Sequence, residues 1–246
     1  MIQSLSRRLG KSRNHSTIQQ RKESLCFYRS ILVNSDPKIW LFKLHQIITN
    51  KHKKIRNKKY HTTNRLKMVS TQKPIFAIVG ATGMQGKSVL AEAHKTGKYH
   101  IRALTRNPKS ETAQKLLADY PGIELVEANN NDSKTIHAAF KGAEYAFLLT
   151  SFWDPAEKLD HDTDLRQGKI MADAAKEAGV KFVLWSSLHD VETISKKSIE
   201  VPHFTNKNKV EKYLKLIGLE YAALYAGWFT SNWERFGMGP TREKDG

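Results

Sequence analysis

The sequence predicts a doubly wound α/β fold built on a parallel sheet. Three observations predict it. Short apolar runs alternate with helical patterns from Pro74 onward. The first run, Ile75-Phe76-Ala77-Ile78-Val79, breaks at once into a turn with three evenly spaced glycines, Gly80-Ala81-Thr82-Gly83-Met84-Gln85-Gly86. A helix-forming stretch from Lys87 to Lys95 follows that turn.

Each element can be justified in order. Strands are expected at 75–79, 99–105, 123–127, 145–149, 182–186 and 221–225, all short and rich in apolar residues. Helices are expected at 84–96, 111–119, 133–140, 162–178 and 206–217. Gly142 is a plausible C-terminal cap of the third helix, and Gly179 and Gly218 end the last two. The order β-α-β-α-β-α-β-α-β-α-β implies a sheet covered by helices on both faces.

The glycine turn carries the first chemical signal. In a strand–turn–helix of this kind the first glycine permits the tight turn. The second lets backbone approach a pyrophosphate, and the third lets the helix pack close to the strand. Free N–H groups at the helix start then face an anion. The spacing is GxxGxxG rather than GxGxxG, but its place between an apolar strand and a helix is the context dinucleotide binding requires.

The net charge of +17 suggests nucleic acid until it is mapped. Residues 1–70 hold 17 Lys and Arg against two acids, Glu23 and Asp36, a net +15. The other 176 residues hold 24 bases and 22 acids, a net +2. The folded part is therefore not expected to bind nucleic acid directly. No apolar stretch approaches the roughly 18–20 residues a membrane span needs. Cys26 is the only cysteine, so no intrachain disulfide can form, and a reducing compartment fits.

Three domains are expected: a basic extension at 1–68, a nucleotide-binding domain at 69–230, and the start of a C-terminal domain at 231–246. Three readings fit the extension. Residues 1–22 are basic, serine-bearing and free of acids, as a mitochondrial presequence is. A disordered basic arm for nucleic acid or an anionic membrane is a second reading. The third, which the scattered composition and the position of Met68 favour, is a segment that is not part of the native protein. The expected compartment is the cytoplasm, with the nucleus open to a regulator and the mitochondrion only under the presequence reading.

The second strand discriminates between cofactors. An NAD site carries an acid at its end to hold the ribose hydroxyls. Here the strand ends Leu104-Thr105-Arg106-Asn107-Pro108-Lys109, with no acid. Arg106 stands where it could grip a 2′-phosphate bidentately, with Lys109 in support, which favours NADP(H). The plainer reading of Arg106 is a solvated residue at a strand end.

Several blocks together resemble the NmrA-like family, a branch of the atypical short-chain dehydrogenases. They are GATGMQG at 80–86, LTRNP at 104–108, FKGAEYAFLLTSF at 140–152, HFTNKNKVEKYL at 203–214 and GWFTSNW at 227–233. The resemblance implies that Gly80, Ala81, Thr82, Gly83, Met84, Gln85 and Gly86 cradle the pyrophosphate and that Arg106 takes the adenosine phosphate. It implies adenine contacts from Asn129 and Asn130, where many members have Gly-Asp in place of Ala128-Asn129. It places Thr150, Ser151 and Phe152 along the nicotinamide half, Lys207 on the nicotinamide ribose, and Trp228 and Phe229 at the closing wall.

Dehydrogenases of this superfamily pair a Tyr and a Lys four residues apart on one helix, where one turn brings both to one face. Here His203 precedes Lys207 by four. The resemblance implies bound NADP without ordinary turnover, and a role in sensing cofactor state and binding regulatory partners such as transcription factors. His203 can still be a general acid, or a surface residue at a helix start. Ser186 and Ser187 end the fifth strand where the superfamily places a catalytic Ser, and equally where a turn would. The alternative function is an NADPH-dependent oxidoreductase of a small carbonyl or quinone, with Lys207 and His203 as its catalytic pair. No metal site is expected. Family members continue well past the GWFTSNW block, so a fragment, poorly stable alone, is expected.

Overall fold

The computed structural model describes residues 72–155, 160–226 and 229. Their elements are β1 (Ile75–Ile78), α1 (Met84–Thr96), β2 (His100–Thr105), α2 (Glu111–Asp119), β3 (Glu124–Glu127) and α3 (Ser133–Phe140). There follow β4 (Ala143–Leu148), α4 (Thr163–Glu177), β5 (Phe182–Ser187), α5 (Val191–Ile194), α6 (Pro202–Leu216) and β6 (Tyr221–Tyr225). The expected disorder of the extension and the expected start of a further domain lie outside the described residues, as does Trp228.

The strands form one parallel sheet in the order β3-β2-β1-β4-β5-β6. The chain winds outward from β1 to β3, then returns to the other side of β1 with β4. The reversal leaves a crevice between the C-terminal ends of β1 and β4, where a doubly wound sheet takes its ligand. The central strands are buried on both faces. Ala77, Ile78, Ala103, Phe147, Leu148, Val183 and Trp185 are all almost fully enclosed, which is why these strands read as continuous apolar runs.

Local chemistry sets the helix ends. Ser110 accepts a bond from the Ala113 N–H at 3.3 Å and starts α2. Asp132 accepts from the Lys134 N–H at 2.9 Å and starts α3. Such caps satisfy donors the helix itself leaves open. Lys141 caps the end of α3, and Gly142, expected as the cap, lies one residue beyond.

One expectation needs correction, and one element is new. The last helix begins at Pro202 rather than at 206, because proline's fixed φ suits a first helical turn and its missing N–H costs nothing there. The extra turn places His203 and Lys207 on the same helix. The short helix α5 was not expected; Asp190 caps it by accepting from the Thr193 N–H at 3.1 Å. No helix among the described residues is long and apolar enough to cross a membrane.

Candidate functional site

The site is assembled at the C-terminal ends of β1, β2, β4 and β5. Gly80 lies in the turn just past β1 with φ +66°, a conformation that suits glycine. The turn closes when the Gly83 N–H donates to the Gly80 carbonyl at 2.9 Å. A Cβ on Gly86 would lie 2.1 Å from the Gly80 carbonyl oxygen, so only glycine lets α1 start this close to the strand. Ala81 is buried and donates its N–H to the Leu104 carbonyl at 3.3 Å, tying the turn to β2. Thr82 is half-buried, whereas Gly83 and Met84 are exposed on the lip.

No side chain caps the start of α1, and its first turn holds no acid. The positive end of the helix dipole therefore faces the crevice. Gln85 reaches across to β5, where Ser186 Oγ donates to its Oε1 at 2.8 Å. The Gln85 Nε2 is buried without a hydrogen-bond partner among the described residues.

Beyond β4, Thr150 and Phe152 are buried and Ser151 is half-buried. The Ser151 N–H donates to Gln167 Oε1 at 3.0 Å. Phe152, the exposed Trp153 and His203 form a ring cluster, with centroids 4.9–5.1 Å apart. Such contacts are favourable beyond the area they bury. His203 is thus half-buried among aromatic rings rather than a solvated helix-start residue. Burial lowers its pKa, and the Lys207 charge adds to this while Asp164 opposes it.

Lys207 is the most constrained group in the site. Its ammonium donates to Thr150 Oγ1, lies 3.3 Å from Asp164 Oδ1, and stands 5.7 Å from the centroid of the Trp185 ring. The Trp185 indole N–H donates to the Lys207 carbonyl at 3.0 Å and pins α6 to β5. Burial pushes the ammonium pKa down, and Asp164 holds it up. Asp164 is fully enclosed in the first turn of α4, and neither oxygen has a hydrogen bond among the described residues. The Lys207 charge and the α4 dipole are what compensate its burial.

The close crossing of α4 and α6 explains this pairing. A Cβ on Gly168 would lie 2.3 Å from Val210 Cγ2. One turn before each of these residues stand Asp164 and Lys207.

The two serines at the end of β5 have different partners. Ser187 is fully buried and donates to Glu211 Oε2 at 2.7 Å, an oxygen that also accepts from the Tyr225 hydroxyl at 2.5 Å. Ser187 thus joins β5, β6 and α6, and Ser186 holds Gln85. Asn129 is exposed and turns inward on its own loop, its Oδ1 accepting from the Asn131 N–H at 3.0 Å. Asn130 Nδ2 donates to the Leu149 carbonyl at 3.3 Å.

Arg106 is exposed at the end of β2, as the plainer reading has it, but it is not unpartnered. Its guanidinium forms an ion pair with Asp154 from the β4 loop. Asp154, Asp164, Gln167 and Glu211 escape sequence reading because each is brought in from a distant element. One signal was present for two of them. Asp164, Gln167, Gly168 and Met171 fall at helical spacing on one buried face, so a carboxylate and an amide interrupt an otherwise packed stripe. Phe229 is half-buried. No group of three His, Cys, Asp or Glu residues that could hold a metal occurs among the described residues.

This sheet order, with a glycine turn and an uncapped helix start at the reversal point, defines a Rossmann-type protein. The chain belongs to the NmrA-like family, whose model matches residues 72–246. It is 34% identical over 170 residues to the NmrA-like family domain-containing oxidoreductase notA' of Aspergillus versicolor, across 66% of this chain and 46% of that one. It is 32% identical to the cpsB oxidoreductase of the same description from Aspergillus campestris, across 65% and 48%. Among solved structures, NmrA, a negative transcriptional regulator, superposes with TM-score 0.56 at 32% identity, over 65% of this chain and 48% of that one. An NADPH-dependent quinone oxidoreductase from Escherichia coli, complexed with NADPH, gives TM-score 0.50 at 28% identity, over 65% and 51%. The chain spans about half the length of the curated relatives it matches.

Proposed function

We propose that this chain binds NADP(H) across the β1–β4 crevice and acts as a cofactor-state sensor toward a regulatory protein partner, in the cytoplasm or nucleus. One observation carries the reading. Lys207 is held buried and oriented at the crevice while His203 occupies the place of the usual Tyr, so the ribose-binding cation is present without the phenol that exchanges protons in turnover.

The residues fit the cofactor. The uncapped start of α1, with no acid in its first turn and no room for a Cβ at Gly86, suits a pyrophosphate. In this reading Gly80 to Gly86 take the pyrophosphate, and the partnerless Nε2 of Gln85 is a donor within that wall. Arg106 takes the 2′-phosphate, and Asn129 and Asn130 border the adenine. Thr150, Ser151 and Phe152 line the nicotinamide half, Lys207 donates to its ribose, and Trp228 and Phe229 close the site. NmrA has been solved with NADP and with NAD and is described as a negative transcriptional regulator, which supports both halves of the proposal.

A second reading is an NADPH-dependent reductase of a small carbonyl or quinone. It is favoured by the position of His203, one helical turn before Lys207 and packed against Phe152 of the β4 loop. The description of the curated relatives as oxidoreductases also supports it.

Titration of the full chain with NADPH, NADP and NAD, followed by tryptophan quenching, tests the binding. Tighter binding of the phosphorylated forms is expected. NADPH oxidation with a quinone panel then separates the readings. Turnover that is lost in His203→Ala would establish the reductase and overturn the sensor.

A further inference from the structure

The end of β2 carries no acid, yet the structure delivers one to it. Arg106 follows β2 and Asp154 follows β4, two strands that flank β1. Their ion pair therefore passes the glycine turn at the end of β1 and joins the two sides of the crevice. The partners are unequal: the Arg106 side chain is 63% exposed, whereas that of Asp154 is only 12% exposed. The carboxylate is the fixed member and the guanidinium the one free to swing. Lys109, the other cation of this turn, is exposed, and its N–H donates to Asn107 Oδ1.

We propose that Asp154 is a specificity-determining residue, which lowers the preference of this site for 2′-phosphorylated dinucleotides over their unphosphorylated counterparts. The proposal rests on the reading of the crevice as a dinucleotide site with Arg106 at the 2′ position. Two physical effects act in the same direction. A guanidinium paired with a carboxylate must give up that partner to grip a phosphate bidentately. A carboxylate left nearby then repels the dianion it has made way for. An unphosphorylated ribose meets neither obstacle, and its 2′-hydroxyl can donate to a carboxylate, which supplies from β4 the acceptor that NAD sites otherwise carry on β2. The discrimination is thus set by two residues on different strands.

Affinities of the full chain for NADP and for NAD, measured by tryptophan quenching at fixed low salt, test this. Asp154→Asn should raise the NADP-to-NAD affinity ratio about three- to tenfold, the scale expected of a partly exposed ion pair plus a like-charge contact. High salt should shrink that gain. Arg106→Met should collapse the ratio, and adding Asp154→Asn to it should produce no further rise. A wild-type ratio in Asp154→Asn, with the ratio still collapsed in Arg106→Met, overturns the role of Asp154 alone. An unchanged ratio in Arg106→Met, or no binding of either dinucleotide, overturns the Arg106 reading and this proposal with it. Both residues lie in loops, and far-ultraviolet circular dichroism of each variant confirms that the fold is kept.

Discussion

Asp164 Oδ1 stands 3.3 Å from Lys207 Nζ, and both groups are buried. A buried ion pair is dear to make and dearer to break, because removing one partner leaves a naked charge in a low dielectric. Lys207→Met should therefore cost about 3–5 kcal/mol of stability. Asp164→Leu combined with Lys207→Met should recover most of that loss. Urea denaturation of the two single variants and the double gives the coupling. Simple additivity would mean that the pair is not a unit.

Gly86 and Gly168 are both too crowded for a Cβ, but their neighbours differ. At Gly168 the obstacle is the Val210 side chain, 2.3 Å away, and at Gly86 it is the Gly80 carbonyl, 2.1 Å away. Each alanine substitution should destabilise by about 1–3 kcal/mol, with Gly86→Ala at the upper end. Truncating Val210 to Ala should rescue part of the Gly168→Ala loss, whereas no side-chain truncation relieves a backbone oxygen. Thermal melts of Gly168→Ala with and without Val210→Ala decide it. Absence of rescue would place the strain elsewhere.

Two histidines pull the pH dependence in opposite directions. Burial lowers the His203 pKa, so the unfolded chain protonates first as pH falls below about 6.5. Stability associated with His203 is complete above that value and is lost as pH drops through the folded-state pKa. His137 has a raised pKa, because its ring bonds the Ser133 carbonyl at 2.6 Å and pairs with Glu177 at 2.6 Å. Its contribution is complete below about 6.5 and is lost as pH rises through the folded-state value. It is the smaller of the two, since water screens this surface pair. Denaturation midpoints between pH 5 and 8 should show a shallower acid slope in His203→Gln and a shallower alkaline slope in His137→Gln. Wild-type slopes in both variants would refute the assignment.

Ser186 and Ser187 are adjacent but serve different ends. Ser187→Ala removes one of two donors to Glu211 and should cost about 1–2 kcal/mol. It should leave dinucleotide affinity unchanged. Ser186→Ala frees Gln85, a residue of the glycine turn, and should alter affinity with a small effect on stability. Measuring both quantities in both variants checks the division. The reverse pattern would exchange the two roles.

The local part of this protein was legible in its residues. A run of five apolar residues, a glycine turn and a helix announce the fold, because turn chemistry and periodicity act over a few positions. Arg106, His203 and Lys207 were visible as candidates for the same reason, each tied to a motif of fixed spacing. Asp164, Asp154 and Glu211 were not. Nothing within a turn of Asp154 says that it will meet Arg106, 48 positions earlier in the chain, or that Asp164 will be walled in beside Lys207. Those meetings depend on the sheet reversing at β1 and on Gly168 letting α4 and α6 close on each other. The sequence by itself determined the Rossmann architecture and the glycine turn at the head of the crevice. Only the tertiary structure decided which charges compensate one another there, because pairing across distant strands and helices is set by packing rather than by any local preference.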